Sequence, residues 1–280
     1  MDPSLALDAI GQLPDEEIDI AQAALLFALI DQPAGDWAGA AAHLSVLARE
    51  MVDQADGMAS QTAPARAGVV SALMGRHGYA GDTATYDSPA NANLLQVIER
   101  RRGLPVALGV LWLHAARAVG WPFYGLDFPG HFLLAVGGPV PLSGIRSSAP
   151  GRVVVDVFAG GVPLGNDALL ALLRRTHGPQ AELHPGMLAP MPARAVLLRL
   201  QRNVQGRRAA RGDVAGARAC VRDMLRIDPE SVILWQDAAL LSTQMGDVEH
   251  ALECHRRVLA LVPEGSVARR TQRAMDELRG

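Results

Sequence analysis

The sequence contains no lysine: all 26 basic residues are arginine, and with 29 acidic residues the formal net charge is -3. This balance supplies no electrostatic footprint for nucleic acid, whose binders concentrate positive charge on one face. Because alanine is abundant, the exclusive use of arginine reads as the coding bias of a GC-rich genome. Cysteine is scarce: Cys220 and Cys254 are too few for a disulfide framework and show no CxxC spacing. No stretch supplies the roughly 18 apolar residues of a membrane helix. The best, LPVALGVLWLHAARAV, is interrupted by His114 and Arg117. The opening MDPSLALDAIGQLPDEEIDI lacks the basic-then-apolar pattern of a secretory signal. A cytoplasmic protein with no membrane partner is therefore expected.

Cofactor signatures are also missing. GPVPLSGIRSSAPG carries glycines without the strand-to-helix context of a phosphate loop. His250 and His255 cannot share one helix face, and His177 and His184 fall in loops with no thiol or acidic partner, so no metal is expected. The arginine-rich RAVLLRLQRNVQGRRAAR spaces its charges along an amphipathic helix, which predicts a solvated outer face rather than a nucleic-acid patch.

What is present begins with a repeat. RGDVAGARACVRDMLRIDPES and MGDVEHALECHRRVLALVPEGS superpose with a shift of 34 residues, the period of a tetratricopeptide helix pair. Gly-Asp makes the turn and the N-cap, small Ala217 and Ala251 allow close helix approach, and Pro229 and Pro263 end the second helices. Both cysteines fall on one repeated helix position and read as small core residues. About two repeats cannot bury both faces alone, so docking on the preceding domain or on a partner is expected.

Upstream, DEEIDIAQAALLFALIDQ and DWAGAAAHLSVLAREMVDQ are amphipathic helices behind acidic caps. DGMASQTAPARAG reads as a break and RAGVVSALMGRHG as a further helix; YDSPANANLLQVIERRRG reads as a turn, an N-cap near Asn91 and a helix ending at Gly103. Pro105 to Val119 is an almost wholly apolar helix with proline in its first turn, which implies burial on most sides. WPFYGLDFPG, HFLLAV and RVVVDVFAG are strands, PVPLSGIRSSAPG a hairpin loop, NDALLALLRRTHG a capped helix and HPGMLAPMPARA a proline-rich connector. The predicted organisation is a helical N-terminal part over 1–85, a core over 86–190 and helical repeats over 191–280. The class is α+β with a small antiparallel sheet and an α-helical tail.

The order of an apolar helix start, a His at a strand start and an Asp on the next strand is that of papain-like and transglutaminase-like enzymes. Such chemistry needs a thiol at a helix N-terminus, where the dipole lowers its pKa, a His as base, and a carboxylate to fix the imidazole. His131 in PGHFL and Asp156 in VVVDVF fill the last two roles. Yet no Cys, Ser or Thr lies between Arg101 and Gly120. Glu99 and Arg102 stand at the site's edge, either as a carboxylate–guanidinium anchor or as solvated helix-end charges. Asp127 reads first as a turn cap, with ligand orientation as the alternative.

SPANANLLQVIERRRGLPVALGVLWLHAARAVGWPFYGLDFPGHFLLAV and VVDVFAGG, with the helical opening and the repeats, make the chain resemble the SirB-type bacterial proteins. In that family a transglutaminase-like, papain-like core precedes tetratricopeptide repeats. Counting back from the Gly120-x-Pro122 that follows the nucleophile helix in active transglutaminases puts the thiol position near Pro105. The resemblance thus implies a nucleophile replaced by proline. Relatives often carry Ser or Thr where this chain has Ala107 and Gly109, and Asp-Pro-Phe where it has Asp156-Val157-Phe158. Two functions follow as expectations. One is a non-catalytic regulatory or scaffold protein that takes a protein or peptide through the repeats and the core cleft. The other is a hydrolase or transferase acting on amide or ester bonds, in which His131, oriented by Asp156, activates water and strand-end donors or Arg102 stabilise the oxyanion.

Overall fold

The computed structural model describes residues 2–57, 62–137 and 151–280. The PVPLSGIRSSAPG loop, apart from Gly151, lies outside the described residues. The chain divides into two compact units, one of residues 14–200 and one of residues 1–13 with 201–280. The division between the units falls at residues 200 and 201. The early helices share their unit with the sheet, because the apolar faces of those helices and of the sheet bury one another.

In the larger unit, α2 (Ile20–Asp31) starts where the Asp19 carboxylate accepts from the Ala21 and Gln22 amides, at 3.1 and 3.0 Å. The Asp36 carboxylate caps α3 (Trp37–Ala55) in the same way. Helix α4 (Ala63–Arg76) begins earlier than the sequence suggests. Thr62 caps it and Pro64 sits in its first turn, so this proline starts a helix that it was expected to precede as a breaker. Asn93, not Asn91, caps α5 (Leu94–Arg100). Asn91 is fully buried and accepts from Arg100 at 2.9 Å. The helix ends at Arg100 because Arg101 turns into the left-handed region, with φ 59 and ψ 24. Two-residue strands β1 (Ala80–Gly81) and β2 (Arg102–Gly103) then pair in parallel and deliver the chain to α6 (Pro105–Ala118). Every side chain from Pro105 to Trp112 is buried, as the apolar run requires. Each large one stabilises the fold by about 1.5–3 kcal/mol through the area it removes from water.

The sheet has the order β6-β5-β4-β3-β7 and is antiparallel throughout. Its strands are β3 (Phe123–Leu126), β4 (Leu133–Gly137), β5 (Arg152–Asp156), β6 (Val162–Leu164) and β7 (Pro190–Met191). On one face Leu126, Leu133, Ala135 and Val154 pack against Leu169, Leu172 and Leu173 of α7 (Asn166–His177). The other face lies against α4 and α6. Covered on both sides, β4 has no solvent face and reads as an unbroken apolar run. The edge strands β6 and β7 were not anticipated; β7 falls inside the proline-rich connector, where proline is tolerated at a sheet edge.

In the smaller unit, consecutive helices α9 (Val214–Ile227), α10 (Val232–Gln244), α11 (Val248–Leu261) and α12 (Gly265–Arg279) pack on their neighbours. Asp213 and Asp247 cap α9 and α11 at the repeated Gly-Asp turns, where Gly212 and Gly246 take positive φ. Cys220 and Cys254 are buried and not joined in a disulfide, and burial, with Glu253 beside it, pushes Cys254 up to about 11. A helix absent from the sequence reading, α1 (Pro3–Gly11), caps itself with Asp2 and packs on α9. Asp8 takes two bonds from Arg226 Nη1, at 2.9 and 2.7 Å. A Cβ on Gly11 would stand 2.2 Å from the Arg226 carbonyl oxygen, so only glycine permits this approach. Helix α1 thus covers part of the surface of α9. Helix α8 (Ala193–Ala210) carries the chain from residue 200 to 201, where the units divide. Among the described residues no helix is long and apolar enough to cross a membrane.

Candidate functional site

His131 and Asp156 meet. His131 ends the tight turn that feeds β4, and Asp156 is the last residue of the adjacent strand β5. The imidazole Nε2 stands 3.0 Å from Asp156 Oδ1, with the two side chains 14% and 16% exposed. A carboxylate only accepts, so Nε2 is the donor and, in the neutral ring, Nδ1 carries the lone pair. The same Oδ1 accepts from the Phe158 amide at 2.9 Å and the Ala159 amide at 3.4 Å. Asp156 thus fixes the imidazole tautomer and closes the turn after its own strand.

The ring of Phe158 meets the His131 ring edge-on, with centroids 6.3 Å apart, and Tyr86 meets Phe158 in the same manner at 5.7 Å. Phe158 also lies against Gly81, where a Cβ would come within 2.6 Å of the ring. Gly81 pairs with Gly103, two residues ahead of Pro105. Phe158 therefore links the His–Asp pair to the segment that enters α6.

Pro105 occupies the first turn of α6 and, like Ala107, is buried. Gly109 gives way to the Phe132 ring: a Cβ there would stand 2.3 Å from Phe132 Cε1. The helix start is filled by packing atoms, and neither a thiol nor a hydroxyl belongs to its first two turns.

The turn before His131 is held from far along the chain. Gly130 adopts φ 71 and approaches Thr176 of α7 so closely that a Cβ would lie 2.8 Å from its methyl. Arg199 of α8 ion-pairs with Asp127 through Nη1, and its Nη2 donates to the carbonyls of Phe128 at 3.1 Å and His131 at 2.8 Å. Burial lowers the Arg199 pKa and the Asp127 charge pulls it back. The Asp127 carboxylate is the ion-pair partner of Arg199 rather than a cap of its own turn. Arg199, read as an outer-face charge, is the site's main positioning cation. No signal within α8 sets Arg199 apart from Arg194, Arg202, Arg207 and Arg208.

Among the described residues Glu99 and Arg102 form no ion pair with each other. Arg102 is exposed, and its Nη1 donates to the carbonyls of Gly78 and Arg101 at 2.8 and 2.9 Å. The acid partner of this arginine run is Asp82, 2.9 Å from Arg100. Bonds from the Thr85 hydroxyl and amide, and then from Arg100, hold the Asp82 carboxyl well below the usual range. Among the described residues no group of three His, Cys, Asp or Glu side chains converges to hold a metal.

The sequence profile of the transglutaminase-like superfamily matches residues 39–202, which include the sheet, α6, His131 and Asp156. A UPF0162 protein of Xylella fastidiosa is 34% identical over 194 residues, 68% of this chain and 66% of its own length. The chain thus spans just under two thirds of that relative. A UPF0162 protein of Pseudomonas aeruginosa is 30% identical over 230 residues, 82% of this chain and 78% of that protein. A shorter match, 38% identical over 56 residues, covers 20% of this chain and 9% of the F-box only protein 21 of Mus musculus.

Proposed function

We propose that this chain, which belongs to the transglutaminase-like superfamily, is a non-catalytic member that binds a protein or peptide and serves as a regulatory or scaffold module. The observation that carries the reading is the helix start. Buried Pro105 and Ala107, with Phe132 filled in over Gly109, support it: they stand at the helix start where, by the family resemblance, covalent chemistry would need a thiol. Asp156 has a structural task beside its bond to His131, so the pair persists without a reaction to perform. The 34-residue period of the tail supports a tetratricopeptide-type array, a scaffold whose faces receive extended peptides. Ile233 and Leu240, 62% and 58% exposed on α10, supply apolar contact there.

One observation favours a second reading. The 3.0 Å His131–Asp156 bond leaves Nδ1 as a base for water attack on an amide or ester. One experiment separates the two: the full chain is incubated with an immobilised random-peptide library, and retained and released peptides are sequenced by mass spectrometry. Binding requires a retained, chemically intact peptide class that the His131→Ala, Asp156→Ala double variant also retains. Peptides cleaved or modified by the wild type alone would refute the non-catalytic reading.

A further inference from the structure

Arg101 is the only described non-glycine residue with positive φ. Glycine would adopt that conformation without steric cost, so the side chain needs a reason to be there. Its Nη1 donates to the Tyr79 hydroxyl and to His43 Nε2, the latter at 2.6 Å, and its guanidinium carbon lies 4.9 Å from the centre of the Tyr79 ring. Both partners are neutral at pH 7. Burial, then the Arg101 charge, lowers His43 to about 4, and burial raises Tyr79 to about 12. Two uncharged groups therefore grip a cation that has no carboxylate within ion-pair distance among the described residues, and its Nε and Nη2 donors have no partner there.

Arg101 faces a cleft of about 480 Å³ lined also by Gln32, Asp36, His43, Leu95 and Glu99. The Asp36 carboxylate spends Oδ1 on the Gly39 amide at 2.8 Å. Neither Asp36 nor Glu99 has a cationic partner among the described residues. One guanidinium and two carboxylates thus share one cavity without neutralising each other. A simple anion would be repelled by the two acids, and a simple cation by the arginine. A ligand that carries both charges a few bonds apart satisfies the set, and Leu95 offers an apolar wall for whatever lies between.

We propose that this cleft binds a small zwitterion of the α-amino acid class, its carboxylate on Arg101 and its ammonium toward Asp36 and Glu99. The assignment is independent of any role for His131. It is tested on the full chain by calorimetric titration with each of the free protein amino acids. Saturable binding of at least one is expected, and its carboxamide and N-acetyl derivatives should each bind about tenfold or more weakly, since each lacks one charge-assisted contact. Arg101→Gly, which suits the left-handed backbone and keeps the fold by circular dichroism, should abolish binding. Glu99→Gln, at an exposed position, should weaken the amino acid and leave the N-acetyl derivative unchanged. His131→Ala should bind as the wild type does. No binding by any amino acid at millimolar concentration, equal binding of the N-acetyl derivative, undiminished binding by Arg101→Gly, or loss of binding in His131→Ala would each overturn the proposal.

Discussion

Gly109→Ala tests how the helix start came to be filled. The added methyl would sit 2.3 Å from Phe132 Cε1, 3.0 Å from Cδ1 and 3.2 Å from Cζ, against an ordinary carbon contact of about 3.5–4.0 Å. The ring has little room to retreat. A Cβ at Gly125, on strand β3, would already be 3.0 Å from Phe132 Cζ, and the Arg199 guanidinium stands 5.7 Å from the ring centre. Overpacking of this kind costs about 1–3 kcal/mol, while alanine gains about 0.8–1.0 kcal/mol over glycine in a helix interior. The net expectation is a loss of up to about 2 kcal/mol. For a unit of this size that lowers its melting transition by up to about 8 °C. Differential scanning calorimetry measures it, and a Phe132→Leu background should restore most of the loss, since the two side chains compete for one space. A melting temperature that rises by the helix-propensity gain alone would refute the account of a ring seated over Gly109.

Two further outcomes follow from the same geometry. Asp156→Ala removes the acceptor of His131 and of two backbone amides and should cost about 2–4 kcal/mol, whereas Asp156→Asn, which keeps Oδ1 as an acceptor, should cost about 1 kcal/mol; equal denaturant midpoints for the two variants would sink the turn-closing role. His43 is held neutral in the fold, lowered to about 4, while the unfolded chain takes up its proton near 6.5, so its contribution is present above about 6.5 and is lost as the pH falls toward 4. Thermal melts at pH 7.5 and 4.5 should therefore show the wild type losing more stability than His43→Gln, which still offers Arg101 an acceptor; parallel losses would contradict this.

Much of this molecule was legible wherever the signal is local. Caps at Asp19, Asp36, Asp213 and Asp247, the apolar run from Pro105, and three β-rich segments bounded by glycine or proline each state their structure within a few residues. The pairing of His131 with Asp156 was readable from chain order, because a His entering one strand and an Asp leaving its neighbour must come close in an antiparallel pair. Other features depend on partners far away in sequence. Arg199 reaches back to Asp127, Phe128 and His131 across about seventy positions, and nothing in its own helix distinguishes it from its neighbours. Strand β7 exists because β3 offers it an edge at Gly125 and Leu126, not because Pro190–Met191 has strand propensity. Pro64 and Asn93 show a different limit: the chemistry of each was clear, but its helix position depends on where the next apolar face is buried.

The two halves of the site are held by separate means, so the form of one does not depend on the chemistry of the other. The helix half is a packing problem. Pro105 supplies the fixed φ of a first turn and lacks only an amide hydrogen that would be unsatisfied there. Once Gly109 makes space, Phe132 fills it and removes the room that a side-chain hydroxyl would need. The His–Asp half is a hydrogen-bond problem with its own closure. Arg199 satisfies the carbonyls of the His131 turn, and Asp156 satisfies the amides of the turn after β5. Breaking either set would leave half-buried polar groups unpaired, a penalty that acts whether or not a reaction takes place. A well-formed His131–Asp156 bond is therefore what this scaffold needs for stability alone.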